Sequence, residues 1–162
     1  MPQQPLQASL KHSQKEKIMK ITRNGSAAWT GGSVTGKGTL STQSKVLSNQ
    51  AYGFGSRFEE QAGTNPEELI AAAHAGCFTM FLSFILEAEK KVAEKLDTTA
   101  ALTLERSPEG SFDITAVHLK LVAKVPGIDQ ETFDKLVATA KAGCAVSKLL
   151  NAKITLESSL IS

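Results

Sequence analysis

The chain has few of the residues that mark several large classes of protein. Among its 162 residues are two cysteines, one tryptophan and one tyrosine, and the formal net charge is only +2. So small a charge, with no block of like residues, argues against nucleic acid as a partner. Two cysteines are too few for a secreted disulfide scaffold, which favours reduced thiols and a cytoplasmic location.

The start of the chain also lacks the apolar stretch of a signal peptide. Residues 1–17 are rich in Gln, Lys and Ser and include two prolines, so we predict a disordered leader there. Regular patterns begin at residue 18, and residues 18–162 are predicted to form a single domain. Met19 is a possible biological start, which would make the preceding residues an extension.

One long helix dominates the middle of the chain. Asn65 is a good N-cap, and Pro66 with the two acidic residues after it suits a first helical turn. The helix is predicted to run to about Lys95, and its centre, residues 69–86, is apolar on almost every side. This apolar stretch is just long enough to span a membrane. The strand-rich flanks favour a fully enclosed helix in a soluble fold, with no membrane partner.

Strands and shorter helices are predicted around this helix, in the order βββ-α-ββ-αα-β of an α+β fold. The stretch 48–60 has no clear period and is predicted to be a loop or short strand. The predicted strands are 18–23, 27–30, 38–42, 98–106, 112–125 with a bulge near Ala116, and 153–161, and the later helices are 130–142 and 145–151.

The two cysteines lie in two Ala-Gly-Cys tripeptides. Cys77 is in the apolar helix, and Cys144 follows Gly143, which stops a predicted helix. The thiols are 67 positions apart, so only the tertiary fold can bring them together. A thiol at its reference pKa of about 8.5 is mostly protonated at neutral pH, so a reactive cysteine needs a cation or a helix N-terminus nearby. Cys144 begins a predicted helix, whose amides are expected to lower the pKa of its thiol.

Cys77 has no such helix end. It lies roughly 16 Å along the helix from Pro66, where the dipole has faded, and apolar neighbours raise the pKa of a thiol. Arg57 is the best-placed cation, and a guanidinium at about 4 Å would favour the thiolate by about 4 kcal/mol. A buried arginine needs a carboxylate, for which Glu67 is the natural choice. These arguments leave open which thiol attacks a substrate first.

Several stretches of the chain together resemble one protein family. From about Met19 to Ser162 the chain is similar to the OsmC/Ohr family, osmotically inducible protein C and organic hydroperoxide resistance proteins, and most to its OsmC branch. The resemblance implies an OsmC-like fold, with antiparallel sheets packed around a long buried central helix, in an intertwined homodimer. The matching stretches are 29–31, 36–39, 52–54, 57–59, 63–69 leading to Cys77, 125–128 and 140–144.

The same resemblance implies a thiol-dependent peroxidase that reduces organic hydroperoxides to alcohols in oxidative and osmotic stress defence. It places the peroxide-attacking thiol at Cys77 and the resolving thiol at Cys144. It places the activating guanidinium at Arg57 and its acidic partner at Glu67, with Glu68 as a competitor. The implied cycle passes through a sulfenic acid and an intramolecular disulfide. A dithiol, in this family similar to a lipoyl group on a partner protein, reopens the disulfide, and no metal, flavin or haem is expected.

Two features bear on how such a site is assembled. Glu67 and Cys77 are roughly 15 Å apart along a straight helix, so we predict that a second subunit helps to complete the site. Ala145 stands where OsmC relatives often carry proline. Losing the preset first helical turn is expected to loosen Cys144 and to slow resolution without abolishing it.

Other interpretations of the same residues remain open. A single cysteine in an apolar helix is commonly a small buried hydrophobe. His74 lies one turn before Cys77 and could tune that thiol, but it is more typical of a packed or interface histidine. A non-enzymatic carrier of a small apolar ligand would use the same pocket without redox turnover. A zinc site of Cys77, Cys144 and His74 lacks the four protein ligands of a closed site.

Overall fold

The computed structural model describes residues 19–161, which form two three-stranded sheets and four helices. The leader predicted at residues 1–17 lies outside the described residues. The elements are β1 (Gly25–Thr30), β2 (Lys37–Thr42), β3 (Gln50–Tyr52), α1 (Phe54–Phe58), α2 (Pro66–Ala88), β4 (Lys95–Arg106), β5 (Phe112–Lys124), α3 (Gln130–Gly143), α4 (Ala145–Leu149) and β6 (Lys153–Ile161).

The sheets match the prediction in part. The stretch 48–60, predicted to be a loop or short strand, forms β3 and the helix α1, so the observed order is βββ-αα-ββ-αα-β and not βββ-α-ββ-αα-β. β1, β2 and β3 form an antiparallel meander, and β4 and β5 form the predicted hairpin. The pairing shifts between Thr103 and Leu104, opposite Ala116, where the bulge was predicted. β6 pairs parallel to β5, so the prediction of antiparallel sheets is wrong there. The reason is that α3 and α4 form a crossover that returns the chain to the start of β5.

The predicted strand at 18–23 is also wrong. Residues 19–23 are in no strand, since the first strand starts at Gly25 and pairs with β2 alone. Alternation of residue types gives a stretch the capacity to be a strand, but a strand also needs a partner. Within the described chain β1 already occupies the free edge of β2.

The start of α2 matches the prediction. Asn65 is the N-cap, its side chain accepts a hydrogen bond from the Glu68 amide at 2.8 Å, and Pro66 occupies the first turn. The N-cap and the proline in the first turn together fix where the helix begins.

The end of α2 differs from the prediction, because the helix stops at Ala88 and not near Lys95. Lys90 adopts a left-handed conformation, with φ of 57°. The amides of the residues at 90 and 91 bond back to the carbonyls of Glu87 and Leu86 at 2.9 Å each. These bonds form a Schellman motif. A lysine takes the position usually held by glycine, so the sequence contained no stop signal there.

One face of α2 forms the centre of the core. The buried residues of the helix recur every four positions and pack against the second sheet and α3. The opposite face is open, with Met80 76% and Phe84 67% exposed. The prediction of a fully enclosed helix is therefore wrong for a single chain, because the chain has one sheet to cover one face. By length and composition α2 could cross a membrane, and 22% of its apolar window is buried. Its buried residues are His74, Phe78, Leu82 and Leu86.

Candidate active site

The two thiols lie side by side although they are far apart in the sequence. The Sγ atoms of Cys77 and Cys144 are 3.0 Å apart and share an S–H···S hydrogen bond, and both are free thiols. Cys77 is in the middle of α2, whereas Cys144 is the residue between α3 and α4. The Cys144 side chain is fully buried and that of Cys77 is partly exposed. The arrangement can close into a disulfide with little movement of either sulfur.

Gly143 allows the helices that carry the two thiols to come this close. Gly143 ends α3, and a Cβ atom at this position would overlap the ring of Phe81, one turn after Cys77 on α2. From the sequence, Gly143 is predicted to stop a helix. Its larger contribution in the structure is the close contact between two helices, which places Cys144 beside α2.

The two thiols differ in acidity. Burial raises the pKa of Cys77, the contact with Cys144 raises it further, and the amides of Val146 and Ala145 offset only part of the shift. Burial also raises the pKa of Cys144, but the contact with Cys77 and the amide and hydroxyl of Ser147 lower that pKa below its usual value on balance. Cys144 is thus the more acidic thiol in the single chain, as its place before a helix predicted.

Arg57 and Glu67 form a second pair. The Nε and Nη2 atoms of Arg57 donate to Oε1 of Glu67 at 2.8 and 2.6 Å. Glu68, the competing carboxylate, instead accepts from the Thr64 hydroxyl. The guanidinium also lies over the ring of Phe58, 5.1 Å from its centroid. Within residues 19–161, Oε2 of Glu67 is buried without a hydrogen-bond partner.

The two pairs do not form one site in a single chain. Glu67 is in the first turn of α2, about 15 Å along the helix axis from Cys77. Arg57 is not among the groups that shift the pKa of Cys77. The two thiols therefore contact each other, and the guanidinium contacts its carboxylate. The two pairs do not contact one another within the single chain.

A third contact links the helices that carry the thiols. Nε2 of His74 and Oγ of Ser147 are 2.7 Å apart, and the His74 side chain is fully buried. Burial lowers the pKa of His74, which keeps the imidazole neutral. The sequence favours a packed or interface histidine at His74 and does not single out Ser147. The available signal was spacing, since His74 lies three positions before Cys77 and Ser147 three positions after Cys144.

The zinc alternative finds no support in this arrangement. In the part of the chain that the structure describes, no group of three or more His, Cys, Asp and Glu side chains is placed to hold a metal ion. His74 Nε2, one of the three ligands of that hypothesis, is bonded to a serine hydroxyl.

Sequence comparison places this chain in a known family. The family of OsmC-like proteins matches residues 58–159. The chain is 51% identical to Peroxiredoxin OsmC of Escherichia coli (strain K12) over 139 residues, which are 86% of this chain and 96% of that protein. The chain belongs to the OsmC family. It is also 32% identical to the organic hydroperoxide resistance protein OhrB of Bacillus subtilis over 91 residues, or 56% of this chain and 64% of that protein.

Solved structures of OsmC-like proteins share the fold. An OsmC-like protein of Vibrio cholerae aligns with a TM-score of 0.69 at 15% identity, covering 86% of this chain and all (100%) of that one. The crystal structure of OhrB from Bacillus subtilis aligns with a TM-score of 0.63 at 24% identity, covering 84% of this chain and 98% of that one. The predicted α+β OsmC-like fold is confirmed at the level of two small sheets and a long central helix.

Proposed function

We propose that this OsmC-family protein reduces organic hydroperoxides with Cys77 and resolves the oxidised enzyme with Cys144. Its reaction class is that of a cysteine-based hydroperoxide peroxidase, the class of the peroxiredoxin to which it is 51% identical. The observation that carries the proposal is the 3.0 Å distance between two free thiols. Two sulfurs so placed can exchange between dithiol and disulfide, which is the change that a peroxide drives.

The accessibility of the thiols supports this division of roles. Cys77 is partly exposed, whereas Cys144 is fully buried. In the proposed cycle the Cys77 thiolate attacks one peroxide oxygen, the O–O bond breaks, and an alcohol leaves after protonation. The Cys144 sulfur then attacks the Cys77 sulfenic acid, and a disulfide forms with loss of water. An external dithiol, of the lipoyl type, attacks the disulfide and restores both thiols. We place this cycle in the cytoplasm, where such reductants keep thiols reduced.

We infer a homodimer, in which Arg57 of a second copy activates Cys77. Two surfaces support it. The outer face of α2 is apolar and open, and its Gly76 has no atom within 4 Å of a Cβ position. The sheet β1–β2–β3 has a single buried residue, Gly38, and leaves Trp29 40% exposed. Apolar surfaces of this kind mark association sites, and a two-fold pairing of α2 would bring each guanidinium toward the opposite thiol.

A charged residue on the open face of α2 is expected to prevent this pairing. We predict that Phe84→Glu converts a dimer into a monomer, because burying an unpaired carboxylate in an apolar interface costs several kcal/mol. Light scattering after size-exclusion chromatography measures the change. Val92→Glu is the matched control, since Val92 is 75% exposed but lies beyond the end of α2. A Phe84→Glu protein that remains dimeric, or a wild-type protein that is monomeric, would contradict the inferred interface.

The proposed substrate preference is for peroxides with an apolar group. Phe81 and Phe84 stack with ring centroids 6.3 Å apart, and Phe81 contacts Gly143 next to Cys144. Apolar contacts beside the thiols would favour an alkyl or aryl hydroperoxide by roughly 1–3 kcal/mol per contact group.

Turnover with different peroxides and thiols tests the function directly. We expect kcat/KM for cumene and tert-butyl hydroperoxides to exceed that for hydrogen peroxide by about tenfold or more, the gain from roughly 1.4 kcal/mol of apolar contact. Dihydrolipoamide should sustain turnover better than glutathione, because the second thiol of a dithiol completes the reduction intramolecularly. Equal rates for organic and inorganic peroxides would contradict the proposed preference, and no oxidation of Cys77 by any of them would contradict the function.

A further inference from the structure

A hydrogen bond between His74 and Ser147 links the two helices next to the thiols, and the proposed cycle does not use it. It joins α2, three residues before Cys77, to α4, three residues after Cys144. The 2.7 Å distance between His74 Nε2 and Ser147 Oγ is that of a strong hydrogen bond. The histidine is fully buried, whereas Ser147 is partly exposed, so water can reach this bond only from the serine side.

Packing alone does not account for a histidine at this position. Nδ1 of His74 is buried and has no hydrogen-bond partner among residues 19–161. An unpaired buried polar atom costs about 1–3 kcal/mol, a cost that a leucine in the same space would avoid. The hydrogen bond that Nε2 of His74 makes to Ser147 is a contribution that an apolar side chain cannot supply.

The unpaired atom also indicates the tautomer. A neutral imidazole has one N–H donor and one bare acceptor nitrogen. Buried N–H groups without a partner are rarer than buried acceptors without one, which puts the proton on Nε2 and the lone pair on Nδ1. Nε2–H of His74 then donates to the Ser147 oxygen. The hydroxyl hydrogen of Ser147 is consequently free for another acceptor. Cys144 is the N-cap of α4 and Ser147 is the third residue of that helix, a position whose side chain can reach back to the N-cap residue. The Ser147 hydroxyl accordingly helps to lower the pKa of Cys144.

We propose that His74 is a positioning residue for the resolving thiol: it holds the Ser147 hydroxyl so that this hydroxyl donates a hydrogen bond to the Cys144 thiolate. The role rests on the proposed function, in which the Cys144 thiolate appears twice. In the resolving step the Cys144 thiolate attacks the sulfur of the Cys77 sulfenic acid. The S–S bond forms and the S–O bond breaks. The hydroxide that leaves takes up the proton that Cys144 released and departs as water. When the disulfide is reduced, one thiolate of the external dithiol attacks the partly exposed Cys77 sulfur. The S–S bond breaks, and Cys144 leaves as a thiolate with its electron pair. A more stable leaving thiolate departs faster.

Other ionisable groups near Cys144 must be held constant in any test. Cys77 faces it from α2 at 3.0 Å. Lys141 and Lys148 line a groove of about 390 Å³ beside Ser147, and their charges favour a thiolate whatever residue stands at position 74. None of these lysines changes in the variants below.

The test measures the pKa of Cys144 directly in a Cys77→Ser background, from the ultraviolet absorbance of the thiolate across pH. His74→Leu and Ser147→Ala should each raise this pKa by about one unit, the value of one hydrogen bond to a charged group. The two changes combined should raise it no further, because both remove the same hydrogen bond. His74→Gln carries an amide N–H near the place of Nε2 and should restore most of the shift. Thermal unfolding checks that each variant is folded.

An unchanged Cys144 pKa in folded His74→Leu or Ser147→Ala protein, or shifts that add in the double variant, would overturn the proposal. With both cysteines present, disulfide formation after one equivalent of peroxide should slow about threefold at neutral pH. A tenfold loss of thiolate is partly offset by the greater nucleophilicity of a more basic sulfur. Formation of the Cys77 sulfenic acid should be unaffected. If wild-type protein forms no sulfenic acid, the proposed function fails, while the pKa measurement still decides the role of His74.

Discussion

Replacement of Cys77 by serine is expected to reduce peroxide consumption to the uncatalysed background. Serine cannot form a sulfenic acid, and its hydroxyl is a far weaker nucleophile than a thiolate at neutral pH. Cys144 remains in this variant but is fully buried, so it does not substitute for the attacking thiol. Peroxide consumption in the presence of dihydrolipoamide measures the loss.

Cys144→Ser is the matched control for this change. It keeps the attacking thiol, so one equivalent of peroxide should still be consumed and a sulfenic acid should accumulate on Cys77, detectable by mass spectrometry after trapping with a sulfenic-acid reagent. Turnover through the intramolecular disulfide should be lost. If Cys77→Ser consumes peroxide and Cys144→Ser does not, the roles of the two thiols are reversed. A carrier without redox function would bind its ligand equally well in both variants.

Removal of the guanidinium is expected to have an effect almost as large. Burial and the contact with Cys144 raise the pKa of Cys77 in the single chain, so the thiolate needs a cation from elsewhere. At about 4 Å and an effective dielectric constant of 20, a guanidinium favours the thiolate by about 4 kcal/mol. Arg57→Ala should therefore lower kcat/KM for organic hydroperoxides by up to about a thousandfold and should shift the pH profile of Cys77 alkylation upward.

Two further variants separate charge from geometry. Arg57→Lys keeps the charge but loses the fork that donates twice to Glu67, so it should recover part of the rate. Glu67→Gln keeps the shape but weakens the anchoring of Arg57, and an intermediate loss is expected. If Arg57→Ala retains a low pKa for Cys77 and the full rate, the assignment of Arg57 as the activating cation is wrong.

Mixed dimers decide which subunit supplies Arg57. One chain carries Arg57→Ala and the other carries Cys77→Ser, so each homodimer is inactive. If the guanidinium acts across the interface, the mixed dimer regains one complete site, because an intact Cys77 faces an intact Arg57 of the other chain. If it acts within its own chain, the mixed dimer stays inactive. This result tests the interface independently of the Phe84→Glu variant.

Much of the secondary structure was predictable because it depends on neighbouring residues. Asn65 and Pro66 fixed the start of α2, and the hairpin with its bulge opposite Ala116 followed from alternating residue types. The end of α2 was not predictable in the same way. Lys90 takes a left-handed conformation that sequence reasoning reserves for glycine, and the closing bonds depend on backbone geometry.

The candidate site was predictable as a set of residues but not as a geometry. Cys77, Cys144, Arg57 and Glu67 were identified from their chemistry and from the resemblance to the OsmC family. The contact between His74 and Ser147 was missed, since the two residues are 73 positions apart and neither is unusual in its local sequence. The single chain brings the two thiols together and pairs Arg57 with Glu67, but the two pairs stay apart along α2.

The sequence by itself determined most of the strands and helices, the start of α2, the two cysteines as candidate site residues and the family, because periodicity, capping and motif content are properties of short stretches. Only the tertiary structure decided that Cys77 and Cys144 meet, that β6 runs parallel to β5, and that one face of α2 is left open. The physical reason is that each of these depends on how distant segments pack. Distances through space between residues 67 positions apart are fixed by that packing and not by any local preference.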